Sequence, residues 1–171
     1  MRKTTIALAF LVAWFFAVPI GWAQNYGDKE HAELAKALKD AKISLQRGLT
    51  ASAKEGKPIS AKYEVEDGKL QLSVYTMKGD TFSEVIVDHK TGKVAKAEPI
   101  TGGDDLTAAK AQSEAMAKAK RSLDTAASEA VKENKGYRAV SVMPSLKDGH
   151  SVADVTLVKG TDWKTVSEKL D

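Results

Sequence analysis

Two periodicities divide the chain. From Asp28 to Lys54, apolar residues recur at Leu34, Leu38, Ala41, Leu45, Leu49 and Ala53. Steps of three and four place them on one stripe of a helix. Lys36, Lys39, Asp40, Lys42 and Arg47 fall off that stripe. Asp28 can cap the helix, and Gly56 with Pro58 stops it. The period then becomes two. Ala61, Tyr63 and Val65 alternate with Lys62, Glu64 and Glu66, and Leu70, Leu72 and Val74 alternate with Gln71, Ser73 and Tyr75. Asp67-Gly68 between these runs predicts a tight hairpin. Lys78-Gly79-Asp80 predicts a second turn, Phe82 to Val87 a third strand, and Asp88 to Lys93 a third turn. Val94 to Ala97 adds a short edge strand before Pro99.

The pattern then starts again. A second amphipathic helix is expected from Asp104 to Glu133, with Leu106, Ala109, Met116, Ala119, Leu123, Ala127 and Val131 on its stripe. Strands follow at Tyr137 to Met143 and Ser151 to Val158, around Asp148-Gly149. Ala41-Lys42-Ile43-Ser44-Leu45 aligns with Ala119-Lys120-Arg121-Ser122-Leu123 at an offset of 78 residues. After an insertion placed near Pro144, Asp67-Gly68 aligns with Asp148-Gly149 at an offset of 81. Lys78-Gly79 then matches Lys159-Gly160, Phe82 matches Trp163, and Val85 matches Val166. Taken alone, Trp163, Val166 and Leu170 have helical spacing; aligned, Trp163 to Glu168 is the third strand of the second unit, and the strand is favoured.

The expected fold is therefore α+β, with two tandem units, each a long helix packed on an antiparallel β-meander. The units would span residues 24–100 and 101–171, the second lacking a counterpart of Thr91-Gly92-Lys93. A unit of about 70 residues is near the lower limit of independent stability. Packing two together, as in one continuous sheet, would help.

The first 23 residues read differently. Arg2 and Lys3 precede an unbroken apolar run of 13 residues, Ile6 to Val18, then Pro19 and Gly21-Trp22-Ala23. This is the pattern of a signal peptide cleaved after Ala23. The run is too short for a stable membrane anchor. A periplasmic or secreted location follows. Cleavage leaves 148 residues and removes two of the 26 basic residues, so the net charge falls from +3 to about +1. It also removes Phe10, Trp14, Phe15, Phe16 and Trp22, five of 11 aromatic residues.

With no cysteine in the chain, a disulfide framework, a thiol nucleophile, cysteine-ligated zinc and a lipidated cysteine are excluded. His31, His89 and His150 have no zinc-ligand spacing, and no Gly-x-Ser-x-Gly elbow occurs. No cofactor is expected. From Leu106 to Lys135 there are six basic and four acidic residues, and from Ala61 to Asp88 three basic and six acidic. Such mixed faces are solvated, and they argue against nucleic acid as partner.

Residues 30–98 resemble a PepSY domain. The resemblance is carried by the amphipathic helix, by Tyr63-Glu64-Val65-Glu66-Asp67-Gly68-Lys69, and above all by the closing stretch Val87-Asp88-His89-Lys90-Thr91-Gly92-Lys93-Val94. Residues 105–171 resemble a diverged second copy. The resemblance implies an extracytoplasmic, non-catalytic module that binds a protein or peptide, with regulation or inhibition of a secreted peptidase as one form of that role. The tandem plan also resembles that of secreted beta-lactamase inhibitor proteins, in plan alone. The physical reading gives Asp67, Gly68, Asp88 and Gly92 structural turn roles. Tyr63 and Tyr75 are the candidate partner contacts on the exposed side of the meander, and Phe82 and Trp163 read as core anchors. The alternatives are a secreted hydrolase with an unrecognised site, and an envelope protein that self-associates through the sheet edge near Val94.

Overall fold

The computed structural model describes residues 27–171; residues 1–23, expected to be a signal peptide, lie outside them. The elements are α1 (Asp28–Ala37), a 3-10 turn (Leu38–Asp40), α2 (Leu45–Ser52), β1 (Lys57–Glu66), β2 (Lys69–Lys78), β3 (Thr81–Val87) and β4 (Val94–Ile100), then α3 (Gly103–Lys118), α4 (Leu123–Glu133), β5 (Arg138–Lys147), β6 (His150–Lys159) and β7 (Asp162–Lys169). The seven strands form one antiparallel sheet in the order β4-β3-β2-β1-β5-β6-β7. The two meanders meet at β1 and β5, through Ala61 opposite Val142 and Lys62 opposite Ser141.

This overturns the expectation of two helix-on-meander units. Alternation along the strands gives the sheet an apolar face, with Ala61, Tyr63, Leu72, Val74, Val85, Val142, Val155 and Leu157, all almost fully buried. The short helices α2 and α4 lie side by side on that face. Leu45 and Leu49 of α2 and Leu123, Ala126, Ala127 and Ala130 of α4 enter a single core cluster with strand residues from both halves. Burial therefore crosses the boundary between the repeats. A half alone would expose half of a shared core.

The two long helices are each broken. Ala41 and Ala119 adopt extended backbone, at ψ 122° and 134°. Ser44 and Ser122 then cap new helices by accepting the N–H of Arg47 and of Thr125, which satisfies one orphan donor of each first turn. The break has a tertiary cause. The freed N–H groups of Lys42 and Ile43 both donate to the His89 carbonyl, and those of Lys120 and Arg121 both donate to the Leu170 carbonyl. An unbroken helix would turn these donors inward to its own carbonyls.

The outer helices cross between halves. α1 contacts β1 and β2, yet His31 stacks on Trp163 of β7, with ring centroids 4.2 Å apart. Arg138 of β5 donates to the Leu38 and Ile43 carbonyls. In the mirrored place, α3 begins at Tyr75 of β2, Lys57 of β1 donates to the Met116 carbonyl, and the Ser151 hydroxyl donates to the Ala115 carbonyl.

Other boundaries also differ from expectation. The first helical residue is Asp28, and Gly27 occupies the cap, its N–H donating to the Glu30 carboxylate. β4 runs through Pro99 to Ile100 rather than stopping before it, which an edge strand tolerates because one side needs no N–H. The three-residue insertion lies between α4 and β5, where α4 gains an extra turn, and not near Pro144; every strand after it keeps the offset of 81. Residues 162–169 form strand β7.

Gly48 of α2 shows how tightly the apolar face is packed. A Cβ there would lie 2.5 Å from Leu72 Cδ2, and Leu72 is wholly buried. Gly48→Ala gains helix propensity of about 1 kcal/mol at most. Overpacking costs roughly 1–3 kcal/mol. The variant is expected to be less stable in urea unfolding, against the direction that helix propensity predicts.

Candidate functional site

The closing turn of the first half is built around Asp88. One of its carboxylate oxygens accepts the N–H groups of Lys90 and Thr91, at 2.9 and 2.6 Å, and the Thr91 hydroxyl at 3.0 Å. Backbone bonds join Asp88 N–H to the Lys93 carbonyl and Gly92 N–H to the Asp88 carbonyl. Gly92 has φ +72°, a conformation that costs about 1–2 kcal/mol for a residue with a Cβ. The turn holds the His89 carbonyl where Lys42 and Ile43 reach it. Asp88 and Gly92 thus fasten the break between α1 and α2. Asp67 and Gly68 both have positive φ, at 50° and 72°, and reverse the chain between β1 and β2.

The hydrogen bonds from Thr91 and Lys90 hold the Asp88 carboxyl below the usual carboxylate range. A carboxylate with a depressed pKa stabilises the fold above its unfolded pKa and loses that effect as pH falls through its folded pKa. Asp88→Asn is expected to lower the melting temperature at neutral pH and to flatten the loss of stability below about pH 4, measured by thermal melts across pH 2–7.

The two candidate contact tyrosines lie on opposite faces. Tyr63 is on the apolar face and wholly buried, so it offers no surface to a partner. Its hydroxyl donates to the Ile43 carbonyl at 2.9 Å, and the Arg138 guanidinium lies 5.5 Å from its ring centroid. Burial pushes its pKa up to about 12, opposed by Arg138. Tyr63 instead anchors the same helix break as the Asp88 turn. Tyr63→Phe is expected to cost about 1 kcal/mol, because Arg138 still serves the Ile43 carbonyl; chemical denaturation measures this.

Tyr75 lies on the polar face and is half-buried. Its hydroxyl donates to Asp105 at the start of α3, at 2.6 Å. Burial, then that carboxylate, raises its pKa strongly. Ser60, Lys62, Ser73, Asp105, Ala108, Gln112 and Met143 surround it, enclosing a cavity of about 70 Å³. Next to it, Lys62 pairs with Glu64 at 2.5 Å and the Ser73 hydroxyl donates to Glu64 at 2.8 Å. Burial also raises the Glu84 carboxyl. These groups are committed to one another, and the cavity suits water better than a ligand.

A larger opening lies where α2, β1 and the α3–α4 link converge. It measures about 470 Å³. Leu49, Met116 and Leu123 form an apolar floor, and Ala53, Pro58 and Ala119 its walls. Lys57, Lys120 and Arg121 stand on its rim together with Asp124 of the first turn of α4. Repeat symmetry explains why it is open. At the equivalent place Arg138 spans two carbonyls, whereas the thinner Lys57 reaches the Met116 carbonyl alone at 3.4 Å. Ile43 is likewise replaced by Arg121, which turns away to the Glu129 carboxylate and the Lys169 carbonyl. The sequence signal for this groove was present in the repeat alignment, as unlike residues at otherwise matched positions.

Phe82 is buried on the polar face, and Trp163 is partly covered by His31. The remaining histidines are apart from the groove: His89 is in the Asp88 turn and His150 pairs with Asp171 at 2.5 Å. Among the described residues, no three His, Asp or Glu side chains are grouped to hold a metal ion, and no helix is long and apolar enough to cross a membrane.

No protein-family profile matches the chain. No curated sequence matches it either. A crystal structure of a candidate lipoprotein from Clostridium difficile 630 is similar in structure, with a TM-score of 0.42 and 14% identity over 77% of this chain and 89% of that one. A likeness at that level carries no functional argument.

Proposed function

We propose that this chain is an exported, non-catalytic binding protein whose groove receives a segment of another protein. The observation that carries this reading is the groove of about 470 Å³, with its apolar floor and cationic rim. An apolar side chain would fill the space over Leu49 and Leu123. A neighbouring carboxylate would meet Lys120. The signal-like segment, residues 1–23, supports a periplasmic or secreted setting, and the PepSY resemblance supports a peptidase as the partner.

The test is a photo-crosslinker placed at Ala53, with a control at Lys29, in cells that make the protein. The expected result is one partner captured from Ala53 and not from Lys29. The purified partner should then bind at least tenfold more weakly to Lys120→Glu. Equal capture at both positions sinks the groove as the site. A panel of peptidase, esterase and glycosidase substrates completes the test. Turnover abolished by a single polar substitution would sink the non-catalytic reading.

A further inference from the structure

The two edges of the sheet are unlike. β4 is blunted against pairing: Pro99 removes an N–H, Lys96 and Glu98 form an ion pair at 2.7 Å, and the register shifts between Ile86 and Val87 of the neighbouring strand. These are common protections of an edge. β7 lacks the proline and the register shift, and the charges it carries, Lys164 and Glu168 among them, are of both signs. It is eight residues long, without proline, and its register with β6 is unbroken from Val152–Lys169 to Lys159–Asp162.

The hydrogen-bonding phase of β7 is fixed. Leu170 N–H donates to the Ser151 carbonyl, so Leu170 and, by alternation, Glu168, Val166 and Lys164 turn their backbone groups toward β6. Trp163, Thr165, Ser167 and Lys169 turn theirs outward. Arg121 covers one of these groups, the Lys169 carbonyl. The N–H and C=O groups of Thr165 and Ser167 face away from the sheet.

We propose that β7 is a self-association edge, which pairs antiparallel with β7 of a second copy about a two-fold axis at Val166. In that register Thr165 of one copy meets Ser167 of the other, and the reverse. These contacts form four backbone hydrogen bonds. The N–H of each Lys169 reaches the other copy's Trp163 carbonyl. Charge complementarity selects this register over its neighbours: Lys164 faces Glu168 twice, at non-hydrogen-bonded positions where side chains approach closest. A register centred on Thr165 would instead set Asp162 against Glu168. Within one copy, Glu168 sits on the apolar face with Glu129 and Glu133 nearby, and burial and these carboxylates raise its pKa, opposed by Arg121. A second copy brings it Lys164, which within its own chain bonds the Asn134 side-chain oxygen and lies 4.3 Å from the Tyr137 ring centroid and would exchange these contacts for Glu168. Because the axis is normal to the sheet, both copies keep α2 and α4 on the same side.

Sedimentation velocity of residues 24–171 from 1 to 500 µM is the test. A dimer is expected within that range. Thr165→Pro removes an outward N–H that no intrachain bond uses and should abolish it. Glu168→Lys should raise the dissociation constant at least tenfold, and Lys164→Glu combined with Glu168→Lys should restore it. Circular dichroism confirms that each variant is folded; if the proline variant is not, the charge series alone decides. A monomer throughout the range overturns the proposal. So does a dimer indifferent to the charge reversals, and so does an edge that pairs only with added peptide.

Discussion

Replacing Leu45 by alanine is expected to lower the unfolding free energy by about 2–5 kcal/mol and to do so for the whole chain at once. Leu45 belongs to α2 in the first half and is wholly buried. Its core cluster includes Val155, Leu157 and Leu123 from the second half. Amide exchange at Val155 and Leu157 of β6 should therefore accelerate as much as exchange at Leu72 and Val74 of β2. Trp163 fluorescence should report the same transition midpoint as circular dichroism. Two independently folding units would leave β6 protected, and that result would contradict a shared core.

Removing Leu170 and Asp171 is expected to cost about 4 kcal/mol or more, a large part of the stability of a small domain. Leu170 is wholly buried, and its side chain alone is worth about 2–5 kcal/mol. Its backbone also accepts from Lys120 and Arg121 and donates to Ser151, at roughly 0.5–1.5 kcal/mol per bond. Leu170→Ala keeps those backbone bonds and should be milder than the deletion. Removing Asp171 alone should be milder still, since it loses the pairing with exposed His150. Guanidinium unfolding of the three variants checks the order. An equal effect for Leu170→Ala and the deletion would mean that the carbonyl at Leu170 does not hold the α3–α4 break.

These two residues expose what the repeat means. The Leu170 carbonyl does for the second half what the His89 carbonyl does for the first, at the same offset of 81. The alignment shows the second half lacking a Thr-Gly-Lys turn. The fold shows that the turn serves to present one carbonyl, and that β7 presents the equivalent one without it.

The serines that cap α2 and α4 were visible in the aligned pentapeptides around Ser44 and Ser122. They read as off-stripe helix positions because the apolar stripe continues through Ala41 and Ala119. A cap and an off-stripe serine look alike until the preceding donors have somewhere else to go. Tyr63 and Tyr75 were equally ambiguous. Alternation places them on opposite faces, but which face lies under helices depends on where α2 and α4 pack.

The sequence by itself determined the local structure: strand alternation, the Asp-Gly and Lys-Gly turns, the amphipathic stripes and the two-fold repeat. Each arises from contacts within a few residues, where steric limits and the 2.0 and 3.6 periodicities act. The tertiary structure decided the rest: one shared core in place of two, helices broken and shared between halves, Tyr63 buried, a groove at one end, and β7 left as an edge with outward-facing backbone groups. Those outcomes depend on acceptors and apolar surfaces that lie far away in sequence, such as the carbonyls of His89 and Leu170. No local pattern records where a donor's partner is.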